Sequence, residues 1–84
     1  MTTHELKIKQ CFADAIVNGE KNFEIRYNDR GYQTGDEIRF HVIDNTTGEP
    51  IEEHFIHKLT YKITYIVSGW GLENGYVALS IKQV

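Results

Sequence analysis

The stretch His4-Glu5-Leu6-Lys7-Ile8-Lys9-Gln10-Cys11-Phe12-Ala13-Asp14-Ala15-Ile16-Val17-Asn18-Gly19-Glu20-Lys21-Asn22-Phe23-Glu24-Ile25-Arg26-Tyr27 decides the fold, because its hydrophobic period changes twice. From His4 to Lys9 polar and apolar residues alternate, with Leu6 and Ile8 on one face, as in a half-buried strand. From Gln10 to Asn18 the apolar positions Phe12, Ala15 and Ile16 fall at i, i+3, i+4, the stripe of a short helix. Gly19 stands where a helix end needs a left-handed residue. From Asn22 the period returns to two. Phe23, Ile25 and Tyr27 share one face, read as the core face, and Glu24 and Arg26 share the other.

Working outward, Asn28-Asp29-Arg30-Gly31 and Thr34-Gly35-Asp36 have turn chemistry. Glu37 to Ile43 follows as a strand burying Ile38, Phe40 and Val42. Asn45 to Pro50 reads as a hairpin loop. Ile51 to Val67 reads as one long β-rich stretch, with clean alternation from Leu59 to Tyr65 and a bulge or break near Phe55-Ile56. Ser68 to Gly75 has no period. Tyr76 to Ile81 is a last strand burying Val77, Leu79 and Ile81. The order is β-α-β-β-β-β, and the expectation is an α+β, mainly β fold: a small, mostly antiparallel barrel with one short helix between the first two strands, since closure removes exposed edges.

Eighty-four residues form one domain, residues 1–84, too short for a two-domain enzyme or a full dinucleotide-binding fold. With 40% hydrophobic and 25% charged residues the chain reads as globular. One Cys excludes an internal disulfide framework and a multi-Cys metal site. No apolar run approaches a membrane span, and the alternating Met1 to Gln10 resembles neither a signal nor a transit peptide. A reducing cytoplasm is the expected compartment. The net charge of -3 and the lack of any basic run argue against a general nucleic-acid clamp, so any nucleic acid must be met at a local site.

Gly19-Glu20-Lys21-Asn22-Phe23-Glu24-Ile25-Arg26 contains Gly-x-Lys-x-x-Glu-x-Arg at a helix-to-strand junction, which resembles the signature of the ASCH domain of the PUA-like superfamily. His4-Glu5-Leu6-Lys7-Ile8, Phe23-Glu24-Ile25-Arg26 with Asn28-Asp29-Arg30, Gly35-Asp36, and Gly75-Tyr76-Val77-Ala78-Leu79-Ser80-Ile81 occur in the order of a short ASCH-like family, domain of unknown function 3850. The resemblance covers essentially the whole chain. It implies a PUA-like barrel whose Gly-x-Lys-x-x-Glu-x-Arg segment lines a cleft for RNA or a nucleotide-like small molecule. One branch of that group is an amidohydrolase acting on an acylated cytidine, with a Lys and a Thr in this segment and a later Glu. Lys21 matches the Lys, but Glu24 stands at the Thr position, so the activity is not carried over.

The candidate ligand contacts are Lys21, Glu24, Arg26, Arg30 and Trp70. Arg offers a planar fork to a phosphate or base edge, Glu accepts from an exocyclic amine, and Lys supplies a point charge. Against this, Glu24 and Arg26 at i, i+2 also read as an ordinary solvated pair. Tyr27, Tyr32 and Trp70 are candidates for base stacking, Tyr27 being assigned to the core by parity and Trp70 either folding back as a lid or meeting a ligand. In the enzyme alternative, Lys21 would act with Glu24 or Glu73. A protein-interaction module is the other alternative, which the acidic charge permits. No cofactor is expected. His54 and His57 lack the spacing and partners of a metal site, His41 faces outward with Glu37 and Arg39, and Cys11 reads as a buried, inert thiol.

Overall fold

The computed structural model describes all residues, Met1–Val84. The elements are β1 (Thr3–Lys9), α1 (Gln10–Val17), β2 (Phe23–Tyr27), β3 (Glu37–Ile43), a 3-10 helix (Phe55–Lys58), β4 (Tyr61–Ser68) and β5 (Tyr76–Gln83). They form one mixed five-stranded sheet in the order β1-β3-β4-β5-β2. β1 runs parallel to β3, with His4 opposite Ile38 and Ile8 opposite Val42. The other neighbours are antiparallel. This is the mainly β, α+β class expected, but the barrel does not close: β1 and β2 are the two edges. β3 and β4 share only two paired positions, Glu37–Lys62 and Ile38–Tyr61, so the sheet folds over there. The edges then approach, and the Arg26 guanidinium donates from Nη2 to the Lys7 carbonyl at 2.6 Å. A side chain spans the seam that a closed barrel would fill with a ladder.

The core lies between this curled sheet and α1. Leu6 and Ile8 of β1, Ile38, Phe40 and Val42 of β3, Tyr61 and Ile63 of β4, and Val77, Leu79 and Ile81 of β5 are buried by strand parity. Ala13 and Ile16 of α1 and Ile56 of the 3-10 helix close one side. Each large apolar side chain buried here stabilises the fold by about 1.5–3 kcal/mol. The helix ends where the Gly19 signal places it, with Asn18 as C-cap and Gly19 at φ 79°.

Four local expectations are corrected. The helical stripe is Ala13 and Ile16, with Phe12 turned outward, because α1 meets the sheet one residue further round. Cys11 is exposed, next to that outward face. The break expected near Phe55-Ile56 is the 3-10 helix, but the part of the stretch from Ile51 to Val67 that precedes it is not β-rich: Pro50 makes only an isolated bridge to Ile43. The register shift falls between Ile63 and Tyr65, where one extra residue turns Tyr65 to solvent and Ile66 inward. Fourth, β2 is turned over, and this correction makes the candidate site.

Candidate functional site

In β2, Glu24 is buried and Phe23 and Ile25 are exposed, the reverse of the sequence assignment. The physical reason is that the carboxylate carries its own counter-ions inward. Glu24 Oε1 accepts from Lys21 Nζ at 2.5 Å. Glu24 Oε2 accepts from Arg26 Nε at 2.8 Å and lies 2.6 Å from Nη2. Lys21 reaches in from the turn after α1, and its ammonium also donates to the Phe23 carbonyl at 2.8 Å. A buried charge is tolerated when paired and hydrogen-bonded in this way, and Glu24 is only 5% exposed.

Lys21, Glu24 and Arg26 are therefore brought together as expected from their motif, at a depth that parity did not indicate. Both Glu24 oxygens are taken by its own neighbours, and what stays open is the surface above the cluster. That surface is the outward face of β2. A groove of about 410 Å³ runs along the seam past Lys7, Lys9, Phe12, Arg26, Tyr27 and Tyr76. A second hollow of about 370 Å³ continues it past Phe12, Lys21, Phe23 and Ile25. Lys21 Nζ sits 5.3 Å from the Phe12 ring centre and 5.0 Å from that of Phe23, within cation–π range. Lys7 and Lys9 were not picked out from the sequence. The signal was present: odd positions of β1 face away from the core, and the topology carries β1 to the seam.

The remaining candidates divide. Arg30 lies exposed on the turn after β2 and lines none of the seam. Trp70 does not fold back as a lid; it is 94% exposed and takes a left-handed φ of 53° between two glycines. Glu73 is at the Tyr27–Tyr76 end of β2, four strand steps or about 13 Å beyond the Phe23 end near which Lys21 lies. Lys21 and Glu73 are not assembled into one acid–base site. Tyr32 is buried in the core, its ring 4.7 Å from that of His4, and burial raises its phenol pKa.

His4 and Asp36 form a second polar cluster that the sequence reading missed. His4 Nε2 lies 2.9 Å from Asp36 Oδ2, both side chains are buried, and Asp36 also accepts from the Thr2 and Gln33 amides. The His4 hydrogen bond, with the two amides, holds the Asp36 carboxyl below its ordinary pKa against the opposing effect of burial. His4 shares parity with Leu6 and Ile8, which was the available signal. Of the other histidines, His57 accepts from the Val42 amide through Nε2 and meets the Glu52 carbonyl through Nδ1, while His54 bonds Asp14. They anchor the 3-10 helix to the sheet and to α1. His41 pairs with Glu5 on the outer face. No three His, Cys, Asp or Glu side chains converge as a metal site would require.

An open-sheet α+β domain with an internal Lys–Glu–Arg cluster beneath a cationic, aromatic groove is the class that fold and geometry define. Over residues 3–81 the chain matches the family model described as Domain of unknown function (DUF3850), and it belongs to that family. No curated protein matches it. No helix is long and apolar enough to cross a membrane.

Proposed function

We propose that the seam groove binds single-stranded RNA or a nucleotide-derived small molecule in the cytoplasm. One observation carries the reading: the exposed rings of Phe12, Phe23, Tyr27 and Tyr76 lie along a groove that also holds Lys7, Lys9, Lys21 and Arg26. Aromatic platforms for bases beside cations for phosphates are the recurring means of holding single strands. Four cations against Glu20 and Glu24 leave the groove locally positive although the chain is acidic overall. The ASCH-like segment supports the same reading, since in that PUA-like group it lines the cleft. Glu24 in this account orients Lys21 and Arg26 and does not touch the base.

The test is fluorescence anisotropy of labelled uridine and adenine oligonucleotides across a salt series. With two to four phosphate contacts the slope of log affinity against log salt should be about -1.4 to -2.8 for a single strand. No binding at low salt, or a slope steeper than about -6, would overturn the groove model. Release of an acyl group from an acylated cytidine would instead support the amidohydrolase alternative.

A further inference from the structure

A second cleft, of about 480 Å³, opens on the other side of the Tyr27–Tyr76 pair. The register sets Tyr27 of β2 directly opposite Tyr76 of β5. Their rings meet edge to face, centres 5.4 Å apart and planes inclined at 73°. Gly75, itself part of the cleft lining, packs against the Tyr27 ring. Its backbone has φ 90°, and a Cβ placed there would come 2.5 Å from Tyr27 Cε1, so the ring lies flush against the main chain. Asn28, Ser68, Glu73 and Asn74 supply the polar lining, and no Lys or Arg is among the lining residues. The Glu73 carboxylate takes part in no ion pair within the chain. Gly69 and Leu72 also line the cleft, and the loop between them carries the almost fully exposed Trp70, which is not part of the lining.

These features favour a cation over other ligands. Tyr ring faces carry negative quadrupole charge, and an unpaired carboxylate supplies a full one. An anion would be repelled. A metal ion would find a single carboxylate where several charged oxygens are needed. A primary ammonium loses strong hydration on entering an aromatic corner, whereas an alkylated ammonium is weakly hydrated and presents methyl groups to the rings. We propose that this cleft is a binding site for an alkylated ammonium ion, the chemistry of choline or of a methylated lysine side chain, with Tyr27 and Tyr76 as two walls of the corner and Glu73 as counter-ion. The cleft shares Tyr27 and Tyr76 with the RNA groove and differs from it in charge, with Glu73 where the groove has Lys7, Lys9 and Arg26.

The experiment is an NMR titration of the full chain with choline, with trimethyllysine amide, and with 3,3-dimethylbutan-1-ol, the neutral carbon isostere of choline. Saturable shifts of the Tyr27 and Tyr76 ring protons are expected with both cations, and affinity for the neutral isostere should be roughly tenfold weaker or worse. Glu73→Gln, a surface change with little bearing on folding, should weaken choline roughly fivefold or more. Tyr76→Phe, which keeps the ring, should leave binding nearly unchanged. Lys7→Ala should not affect choline, so failure here and failure of the RNA reading are separable. Tighter binding of a trimethyllysine peptide than of the free amide assigns the site to a modified protein; equal binding assigns it to a small metabolite. Equal affinity for the neutral isostere, indifference to Glu73→Gln, or no shift at tens of millimolar choline overturns the proposal.

Discussion

Glu24→Gln is the sharpest test of the internal charge cluster. The substitution keeps size and removes one negative charge from between Lys21 and Arg26, leaving an amide N–H directed at a cation. Breaking a fully buried ion pair costs about 3–5 kcal/mol. The Lys21 and Arg26 side chains are 14% and 24% exposed, so water reaches part of each cation. Discounting for that partial hydration, the loss should be about 2–3 kcal/mol. For a chain of this size each kcal/mol moves Tm by about 4–8 °C, so the variant should melt roughly 8–24 °C lower. Lys21→Met should cost less, because Arg26 still engages Glu24 Oε2. The double change Lys21→Met with Arg26→Met strands the carboxylate alone and should be the worst of the set. Adding Glu24→Leu to that pair should restore much of the stability, since a packed apolar trio replaces a buried ion cluster at little net cost. Circular dichroism melts and urea titrations measure all four. A Glu24→Gln variant within about 0.5 kcal/mol of the parent, the range of ordinary surface changes, would show that the carboxylate is solvated and refute the inverted strand.

Three further outcomes are expected. Lys7→Ala and Lys9→Ala should each flatten the salt dependence of single-strand RNA binding by about 0.7 in slope, read by anisotropy, while a surface control such as Lys62→Ala should not. Asp36 has its folded-state pKa depressed, so its contribution is fully present above the unfolded carboxyl pKa and is lost as pH falls through the lower folded value. Urea titrations from pH 7 down to about 2 should therefore show a steepening acid limb that Asp36→Asn makes shallower; parallel limbs would refute the assignment. Gly75→Ala meets both a left-handed φ and the Tyr27 ring, whereas Gly48→Ala meets a left-handed φ of 74° and nothing within 4 Å, so the former should lower Tm further.

The elements were legible because their periods differ: alternation in β1, β2, β3 and β5, and a helical spacing closed by Gly19. The orientation of β2 was not. In Phe23-Glu24-Ile25-Arg26-Tyr27 the alternation separates two faces and does not say which is inside. Hydrophobicity alone chooses Phe23 and Ile25, and is wrong here because two cations solvate Glu24 internally, one of them from outside the strand. The motif that suggested a functional cluster was thus the same feature that spoiled the core assignment. Cys11 and Phe12 were misplaced because two turns of helix fix a stripe only to within a residue. Lys7 and Lys9 are four residues or less from the helix, yet their relation to Arg26 depends on β1 and β2 being opposite edges of one curled sheet, which no local pattern encodes.

The seam links these observations. Beside β5, the bonds from the Ile81 amide to the Asn22 carbonyl and from the Asn28 amide to the Gly75 carbonyl flank β2, so the peptide groups of Phe23, Ile25 and Tyr27 face its outer edge. An open edge of this kind invites pairing with another chain. Here it is partly capped: Lys21 Nζ takes the Phe23 carbonyl, the Asp29 amide takes the Tyr27 carbonyl, and on the facing edge Arg26 takes the Lys7 carbonyl. Lys21 and Arg26, which neutralise Glu24, thus also help to blunt the two edges. Full closure of the barrel would pair the edges directly and fill the groove with a ladder. Holding them with long cationic side chains keeps the edges apart, leaves the β2 rings in solvent, and sets positive charge along the opening. On this account Arg26 acts first as a strut, so replacing it should widen or collapse the seam as well as remove a charge, and RNA affinity should fall by more than the change in salt slope alone explains.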